Sequence, residues 1–368
     1  MHRRVVATHQ MSYRTINQSL RLQHVLSFKQ RRDNLDSKVT TAALNLHNRA
    51  FQRITDRFVD GFGNVVFDSF EMDGHSQVIG DCIAKEKACS TIVDRGCYRM
   101  AHTPNSPVLS YTRTGDTGPK VILIMGFGMR GSAWKPQIDG LGSSCQLVSF
   151  DNRGVGESAA IDEDMSMLDI AKDASRVLDA IDWHSDVHVV GVSMGGMVAQ
   201  ELLLYQPERF ASLSLIATHA GGKTSWLPPA KGIVRFLATQ FSSDKNRQKT
   251  LARLLYPKAF LSSCNQDDLR ARMKLQIGKP ASRSTLRRQL RAIRNHDTRN
   301  RLPTISQPTL VVKPELDILV HPKHSDRLHR GLSQVSLLSI PDAGHGVTYQ
   351  SADLLNERLL NHFQSAEP

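Results

Sequence analysis

Three residues of this 368-residue chain have side chains suited to acyl chemistry and stand at spacings that one fold could gather: Ser193, Asp317 and His345. Ser193 lies in Gly191-Val192-Ser193-Met194-Gly195-Gly196, after the apolar run Val187–Val190 and before a helix-like stretch, Met197–Leu203. That pattern reads as a strand, a tight turn with a serine at its tip, and a helix. The turn holds the hydroxyl out over the sheet edge, and the flanking glycines leave room for strand and helix to close around it. The helix behind it aims free N–H groups and a positive dipole end at any oxyanion formed there.

Asp317 follows the apolar segment Thr309–Val312 in Lys313-Pro314-Glu315-Leu316-Asp317, and His345 follows Val335–Ser339 in Asp342-Ala343-Gly344-His345-Gly346. Serine, acid, histidine is the chain order expected for such an elbow. In that scheme His345 accepts the Ser193 proton and later delivers it to the leaving group, while Asp317 fixes the tautomer and stabilises the imidazolium. The glycines flanking His345 suit a loop that brings the ring close to the serine. Rivals are present. His321 and His324 compete for the base, although they follow the acid where the next helix should begin, and Glu315 competes for the acid. The end of the Leu213–Ala217 segment, another place for an acid, reads Thr218-His219 and has no carboxylate.

An oxyanion needs a second donor besides the N–H of Met194. The glycine-rich turn Met125-Gly126-Phe127-Gly128-Met129 supplies one, with the N–H of Phe127 expected first and that of Gly128 second. Gly126 and Gly128 are then candidate substrate contacts, although the same glycines also fit a plain tight turn.

The elements that must position these residues alternate. Cys97–Ala101 and Val108–Thr112 read as a hairpin pair around Pro104-Asn105, and Val121–Met125, Leu147–Phe150, Val187–Val190, Leu213–Ala217, Thr309–Val312 and Val335–Ser339 read as strands. Between residues 165 and 183, Met167, Ile170, Ala171, Ala174, Val177, Leu178 and Ile181 recur at helical spacing. Strands separated by helices predict an α/β fold, a mainly parallel sheet covered by helices on both faces. Chemistry in such a sheet collects at the carboxyl ends of the strands, where the three residues fall.

With these motifs on the page, residues 95–365 resemble the α/β-hydrolase superfamily, in its serine-nucleophile, esterase- or lipase-like branch. The resemblance rests on the Ser193 elbow, Asp317, Gly344-His345-Gly346 and Phe150-Asp151-Asn152-Arg153-Gly154-Val155-Gly156-Glu157-Ser158, which is similar to the family's Asp-x-Arg-Gly-x-Gly-x-Ser loop. It implies an eight-stranded sheet with a helical cap inserted after the sixth strand. The expected organisation is a basic tail or transit segment at 1–37, an extension with an amphipathic helix at 38–94, core at 95–218, the cap at 219–301 and core again at 302–368. Two departures stand out: Met125-Gly126 and Lys313-Pro314 occupy places where members often carry His-Gly. Relatives in this fold that open epoxides or remove halides use aspartate at the elbow. Ser193 points instead to an acyl-enzyme and hydrolysis of a carboxylic ester, lactone or lipid ester. A thioesterase or acyltransferase, and a binding protein of the same fold without turnover, are the alternatives.

Composition bounds the rest. No apolar run approaches the roughly 18 residues that span a bilayer. Five cysteines, an odd number with no Cys-x-x-Cys pair, argue for a reducing compartment and against zinc or a disulfide framework, so neither metal nor cofactor is expected. The cytoplasm is the expected location. The acid-free, arginine-rich stretch before Asp33 makes mitochondria the alternative.

The net charge of +12 divides unevenly along the chain. Residues 219–301 hold about nineteen Lys/Arg against four Asp, and residues 1–50 about nine against two. Within 284–296, Leu286, Leu290 and Ile293 form an apolar stripe, and Arg287, Arg291 and Arg294, with Arg283 just before them, form a second one. The arginines, with Arg287 and Arg291 as candidate substrate contacts, face water, an anionic acyl substrate or an acidic membrane surface. Gly232–Leu237 and Leu254-Leu255-Tyr256 supply apolar lining for a fatty or aromatic acyl group. Aromatics are sparse between the basic residues and no reader module is present, which argues against nucleic acid. Nothing in the sequence specifies an oligomeric state.

Overall fold

The structure, a computed structural model, describes residues 99–160, 162–240, 244–277 and 281–366. The tail and the amphipathic helix expected before residue 95 lie outside the described residues. In chain order the elements are β1 (Arg99–His102), β2 (Ser110–Thr114), β3 (Lys120–Ile124), α1 (Lys135–Leu141), β4 (Gln146–Phe150), α2 (Met167–Asp179), β5 (Val187–Val192) and α3 (Met194–Tyr205). They continue with β6 (Phe210–Ile216), α4 (Ala230–Gln240), α5 (Asp244–Leu255), α6 (Lys258–Ser263), α7 (Gln266–Ile277) and α8 (Arg283–Asn295). The chain then runs through β7 (Thr309–Pro314), α9 (Lys323–Gly331), β8 (Val335–Ile340), α10 (Val347–Gln350) and α11 (Ala352–Ser365).

The eight strands form one sheet in the order β1-β2-β4-β3-β5-β6-β7-β8. The β1–β2 and β2–β4 pairs are antiparallel and every later pair is parallel. Side-chain alternation divides the core between the two faces. Ile122, Val189, Leu213 and Val311 pack with Ile170 and Leu178 of α2, Met197 and Leu202 of α3, and Leu328 of α9. Val121, Leu123, Val190, Ile216 and Val312 pack on the other face with Ile138 of α1 and Leu355, Leu359 and Phe363 of α11. Because β5 is buried along its whole length, its sequence reads as a nearly continuous apolar run in which His188 is the polar side chain. His188 is accommodated by Ser212 on the neighbouring strand, whose Oγ lies 2.8 Å from its Nδ1.

Local chemistry sets the ends of the elements. The helix expected over 165–183 starts where Ser166 and Asp169 form a reciprocal capping box and ends at Asp179. Pro314 is the last residue of β7, where a missing N–H costs the ladder least. Among the described residues, the α-helices α4–α8 lie between β6 and β7. A bridge between Gly221 and Asp297 brings the two ends of that insert together. Among the described residues no helix is long and apolar enough to cross a membrane.

Candidate active site

Ser193 stands between β5 and α3 with φ 55° and ψ −120°. A positive φ at a non-glycine residue costs on the order of 1–3 kcal/mol and persists only where its surroundings fix it. Here they do: Ser193 N–H donates to the carbonyl of Ile216 at 2.9 Å, and its own carbonyl accepts from Gly196 N–H at 3.0 Å and from Thr218 Oγ1 at 2.6 Å. The neighbouring glycines are required by contact. A Cβ on Gly191 would stand 2.3 Å from the Gly195 carbonyl oxygen, and one on Gly195 2.0 Å from that of Ile124. Met194 is the first residue of α3, so its N–H belongs to the turn that finds no acceptor inside its own helix.

Asp317 and His345 meet across the loops that follow β7 and β8. Nδ1 of His345 lies 2.7 Å from Oδ2 of Asp317, and Oδ1 accepts the N–H groups of Leu319 at 2.7 Å and Val320 at 2.9 Å. An ionised carboxylate only accepts, so Nδ1 carries the proton and Nε2 is left as the basic nitrogen. Both side chains are largely withdrawn from water.

The rivals are engaged elsewhere. Glu315 pairs with Lys313 Nζ at 3.0 Å and accepts from Ser339 Oγ at 2.5 Å, and the serine hydrogen bond is the main cause that lowers its pKa. His324 is buried beside His219, with ring centres 5.5 Å apart, and His321 accepts the N–H of Lys323 at 3.2 Å.

The turn after β3 lies against the serine. A Cβ on Gly126 would be 3.2 Å from Cβ and 3.7 Å from Oγ of Ser193. Met129 N–H donates to the Gly126 carbonyl at 3.3 Å, and Gly128 takes φ +64° at the third position of that turn, where glycine is favoured. Its N–H is not an open oxyanion donor, because it donates to Oε1 of Gln289 in α8 at 2.9 Å. That corrects the expectation for Gly128 and leaves Phe127 as the candidate in this turn.

The loop after β4 buttresses the same turn. Asn152 Nδ2 donates to the Met125 carbonyl at 3.0 Å, Asp151 accepts Gly131 N–H at 2.7 Å, and Ser158 Oγ donates back to the Asp151 carbonyl at 2.6 Å. Arg153 reaches past the loop to the buried carboxylate of Asp173 on α2, with NH2 2.7 Å from Oδ1.

Helix α8 meets the site with its buried face, Thr285, Leu286, Gln289 and Ala292. Arg287 and Arg291 lie exposed on the opposite side, and Arg291 pairs there with Asp164 at 2.5 Å, so the structure brings neither arginine to Ser193. The spacing of the arginines marks a continuous stripe, which is what suggests them as substrate contacts. The apolar stripe beside them is the one that packs, and Gln289, on the same buried face, is the side chain that hydrogen-bonds to the turn. A glutamine three residues after Leu286 was the available signal for it.

At the histidine loop, Gly346 N–H donates to the carbonyl of Leu255 at 2.9 Å, and Gly344 N–H to Oε1 of Gln350 at 3.0 Å. A Cβ on Gly344 would meet the Leu255 carbonyl oxygen at 2.5 Å. These glycines answer the approach of the insert rather than the reach toward serine that the sequence suggested.

Three comparisons with known proteins agree on the fold. The family described as the alpha/beta hydrolase fold matches residues 119–352. A protein of Agrobacterium fabrum (strain C58 / ATCC 33970) named "Putative carbamate hydrolase RutD" is 29% identical over 259 residues, which cover 69% of this chain and 97% of that one. Among solved structures, a thermophilic esterase from Thermogutta terrifontis superposes with a TM-score of 0.61 at 22% identity, covering 73% of this chain and all (100%) of the other. The enol-lactonase from Burkholderia xenovorans LB400 gives 0.62 at 19% identity, with coverage of 72% and 100%. At these identities the structural likeness speaks to the fold alone.

Proposed function

The chain belongs to the alpha/beta hydrolase fold family, and from that premise we propose that it is a serine hydrolase that cleaves a carboxylic ester through an acyl-enzyme on Ser193. The observation that carries the reading is the 2.7 Å contact of His345 Nδ1 with a buried, doubly hydrogen-bonded Asp317, at the carboxyl ends of β7 and β8 in the same sheet whose β5 presents Ser193. Asp317 holds the imidazole in the tautomer that exposes a basic Nε2, and the strained elbow holds the hydroxyl for attack. Nε2 takes the Ser193 proton as Oγ attacks the carbonyl carbon. The N–H groups of Met194 and Phe127 receive the developing oxyanion, and His345 returns the proton to the departing alcohol. Water then attacks the acyl carbon as His345 takes its proton, and His345 returns that proton to Ser193 Oγ as the acid departs.

The preferred substrate is an ester or lactone with an apolar acyl group. Support comes from the apolar cluster of Phe127, Val155, Ala281 and Leu286 beside the turn and from the aromatic group Tyr256, Phe260 and Tyr349 beside the histidine loop. The exposed Arg287 and Arg291 are proposed to attract an anionic substrate or an acidic membrane surface from outside. A carbamate is the second reading, favoured by the name of the sequence relative, and it passes through the same steps with a carbamoyl-enzyme. The odd cysteine count supports the cytoplasm as the place of action.

The test is labelling with a fluorophosphonate probe and turnover of matched p-nitrophenyl esters and aryl carbamates by the wild-type chain and Ser193→Ala. Serine-dependent labelling with faster turnover of esters supports the proposal. A folded wild-type protein that neither labels nor turns over points to a binding protein, and faster turnover of carbamates replaces the ester with the second reading.

A further inference from the structure

The turn carrying Phe127 is tethered at both ends by side chains from different parts of the chain. At its start, the carbonyl of Met125 accepts from Nδ2 of Asn152 at 3.0 Å. At its end, the N–H of Gly128 donates to Oε1 of Gln289 at 2.9 Å across 161 residues of sequence. Gly126 and Phe127 lie between the two tethers, and Gly126 is the residue packed against Ser193. A peptide plane is rigid, so fixing the group on either side of these two residues leaves little freedom for the N–H between them.

Gln289 is itself held without slack. It is fully buried, at 0% exposure. One turn earlier on α8, Leu286 Cδ2 sits 2.8 Å from where a Cβ on Gly128 would project, and Thr285 Oγ1 sits 2.5 Å from the equivalent point on Gly154. The helix therefore touches both the turn and the loop that carries Asn152. The Nε2 group of Gln289 is buried and finds no acceptor among the described residues. An unpaired buried donor is costly, and an apolar residue of similar length would avoid that cost. Packing alone does not account for a glutamine here; the bond from Gly128 does.

We infer that Gln289 is a positioning residue for the oxyanion turn, so that the insert between β6 and β7 completes the catalytic machinery as well as covering it. The inference rests on the reading of Ser193 as nucleophile and of Phe127 N–H as oxyanion donor. Gln289 acts through Gly128 and touches no reacting atom. Without its Oε1, the turn keeps only the 3.3 Å bond from Met129 N–H to the Gly126 carbonyl and the Asn152 tether, and the Phe127 N–H is held less closely toward the developing charge. Ground-state binding of the acyl group is little affected, because the oxyanion does not yet exist.

The experiment compares Gln289→Met and Gln289→Ala, which remove the acceptor, with Gln289→Glu, which keeps one. Each is measured in the full-length chain for kcat and KM on a p-nitrophenyl ester, for melting temperature, and for inhibition by an alkyl trifluoromethyl ketone, which forms a tetrahedral oxyanion adduct with the serine. The expected result for the acceptor-lacking variants is a kcat lower by roughly 10-fold or more, a KM within about 2-fold, and ketone affinity weakened in parallel with kcat. The melting temperature of Gln289→Met should fall only modestly, since loss of the unpaired amide offsets part of the cost of leaving the Gly128 N–H without its acceptor. Gln289→Glu should recover most of kcat.

Unchanged kcat in Gln289→Met or Gln289→Ala overturns the inference. So does a kcat loss with unaltered ketone affinity, or a Gln289→Glu variant as impaired as Gln289→Met, since either describes a purely structural residue. A wild-type protein that shows no Ser193-dependent turnover or ketone binding brings down the functional reading itself, an outcome distinct from the other three.

Discussion

Gly346 and Tyr256 are packed so closely that a methyl group on the glycine would stand 2.3 Å from Cε1 of the tyrosine ring. The ring has nowhere to go. It is 3% exposed and lies against Phe260, with centres 5.2 Å apart, and against Tyr349 at 5.8 Å. A side chain at position 346 must therefore move the loop, and His345 with it.

Gly346→Ala is expected to lower kcat/KM on a p-nitrophenyl ester by on the order of 10²-fold, the usual consequence of displacing a catalytic group by about 1 Å. Adding Tyr256→Ala should restore part of the loss, because the clash disappears. Steady-state kinetics on the two single variants and the double variant form a cycle that checks it. Strict additivity would mean that the ring does not set the position of the loop.

Asp317→Asn keeps the shape of the acid but presents a donor and an acceptor in place of two acceptors. The N–H groups of Leu319 and Val320 already claim Oδ1, so the amide oxygen is drawn to them and the NH2 group faces Nδ1 of His345. That forces the proton onto Nε2 and removes the base. The expected loss in kcat is about 10³–10⁴-fold at neutral pH, with a smaller change in KM. A variant within 10-fold of wild type would transfer the role of the acid to another carboxylate.

Much of this site was legible in the chain because its chemistry is local. The Ser193 elbow is a single run from β5 into α3 whose glycines are dictated by neighbours a few residues away, and the order of Asp317 and His345 follows from the strand order. The β-branched run of β7 likewise marked the strand that delivers Asp317. Contacts made at long range left little trace. Gln289 reads as one polar residue on an amphipathic helix, and only the fold brings it to Gly128. The arginine stripe of the same helix had the stronger periodic signal, yet periodicity reports that two faces differ and not which one meets the site. Gly344 and Gly346 were visible as glycines, but the crowding that requires them comes from Leu255 and Tyr256, some ninety residues earlier.

The loop after β4 depends on a buried charge pair. Asp173 is fully buried and accepts from Arg153, while Arg176 reaches the same carboxylate at 2.7 Å. Arg153→Met removes the more buried of the two cations. The remaining carboxylate keeps only a half-exposed partner, so the expected destabilisation is about 3 kcal/mol, toward the lower end for a broken buried pair. The replacement of both, Arg153→Met with Asp173→Leu, should be closer to wild type than Arg153→Met alone. Urea unfolding followed by circular dichroism decides this, and a single variant as stable as wild type would show the pair to be dispensable.

A group of histidines makes stability depend on pH in a direction that can be worked out. His219, His296 and His324 are buried together where the insert joins the sheet, with ring centres 6.2 Å apart for His219 and His296 and 5.5 Å for His219 and His324. Burial is the leading cause that lowers all three pKa values, to about 4 for His296 and His324 and well below the usual value for His219. Glu201 lies 3.7 Å from His296 Nδ1, but its charge is already met by Arg301 at 2.6 and 2.8 Å, and Arg301 itself disfavours a second cation. The folded chain thus keeps these rings neutral between about pH 6.5 and 4, whereas the unfolded chain protonates them as pH falls through about 6.5. The unfolded state then binds more protons, so stability is full above pH 7 and declines as pH falls through this window, by up to about 1.4 kcal/mol per pH unit for each histidine. His296→Gln should flatten the decline by close to one proton's worth, since it removes one of the three buried rings that stay neutral in the folded chain. Urea midpoints at pH 7.5, 6.5 and 5.5 for wild type and His296→Gln give the slope directly. Equal slopes would assign the pH dependence to groups outside this cluster.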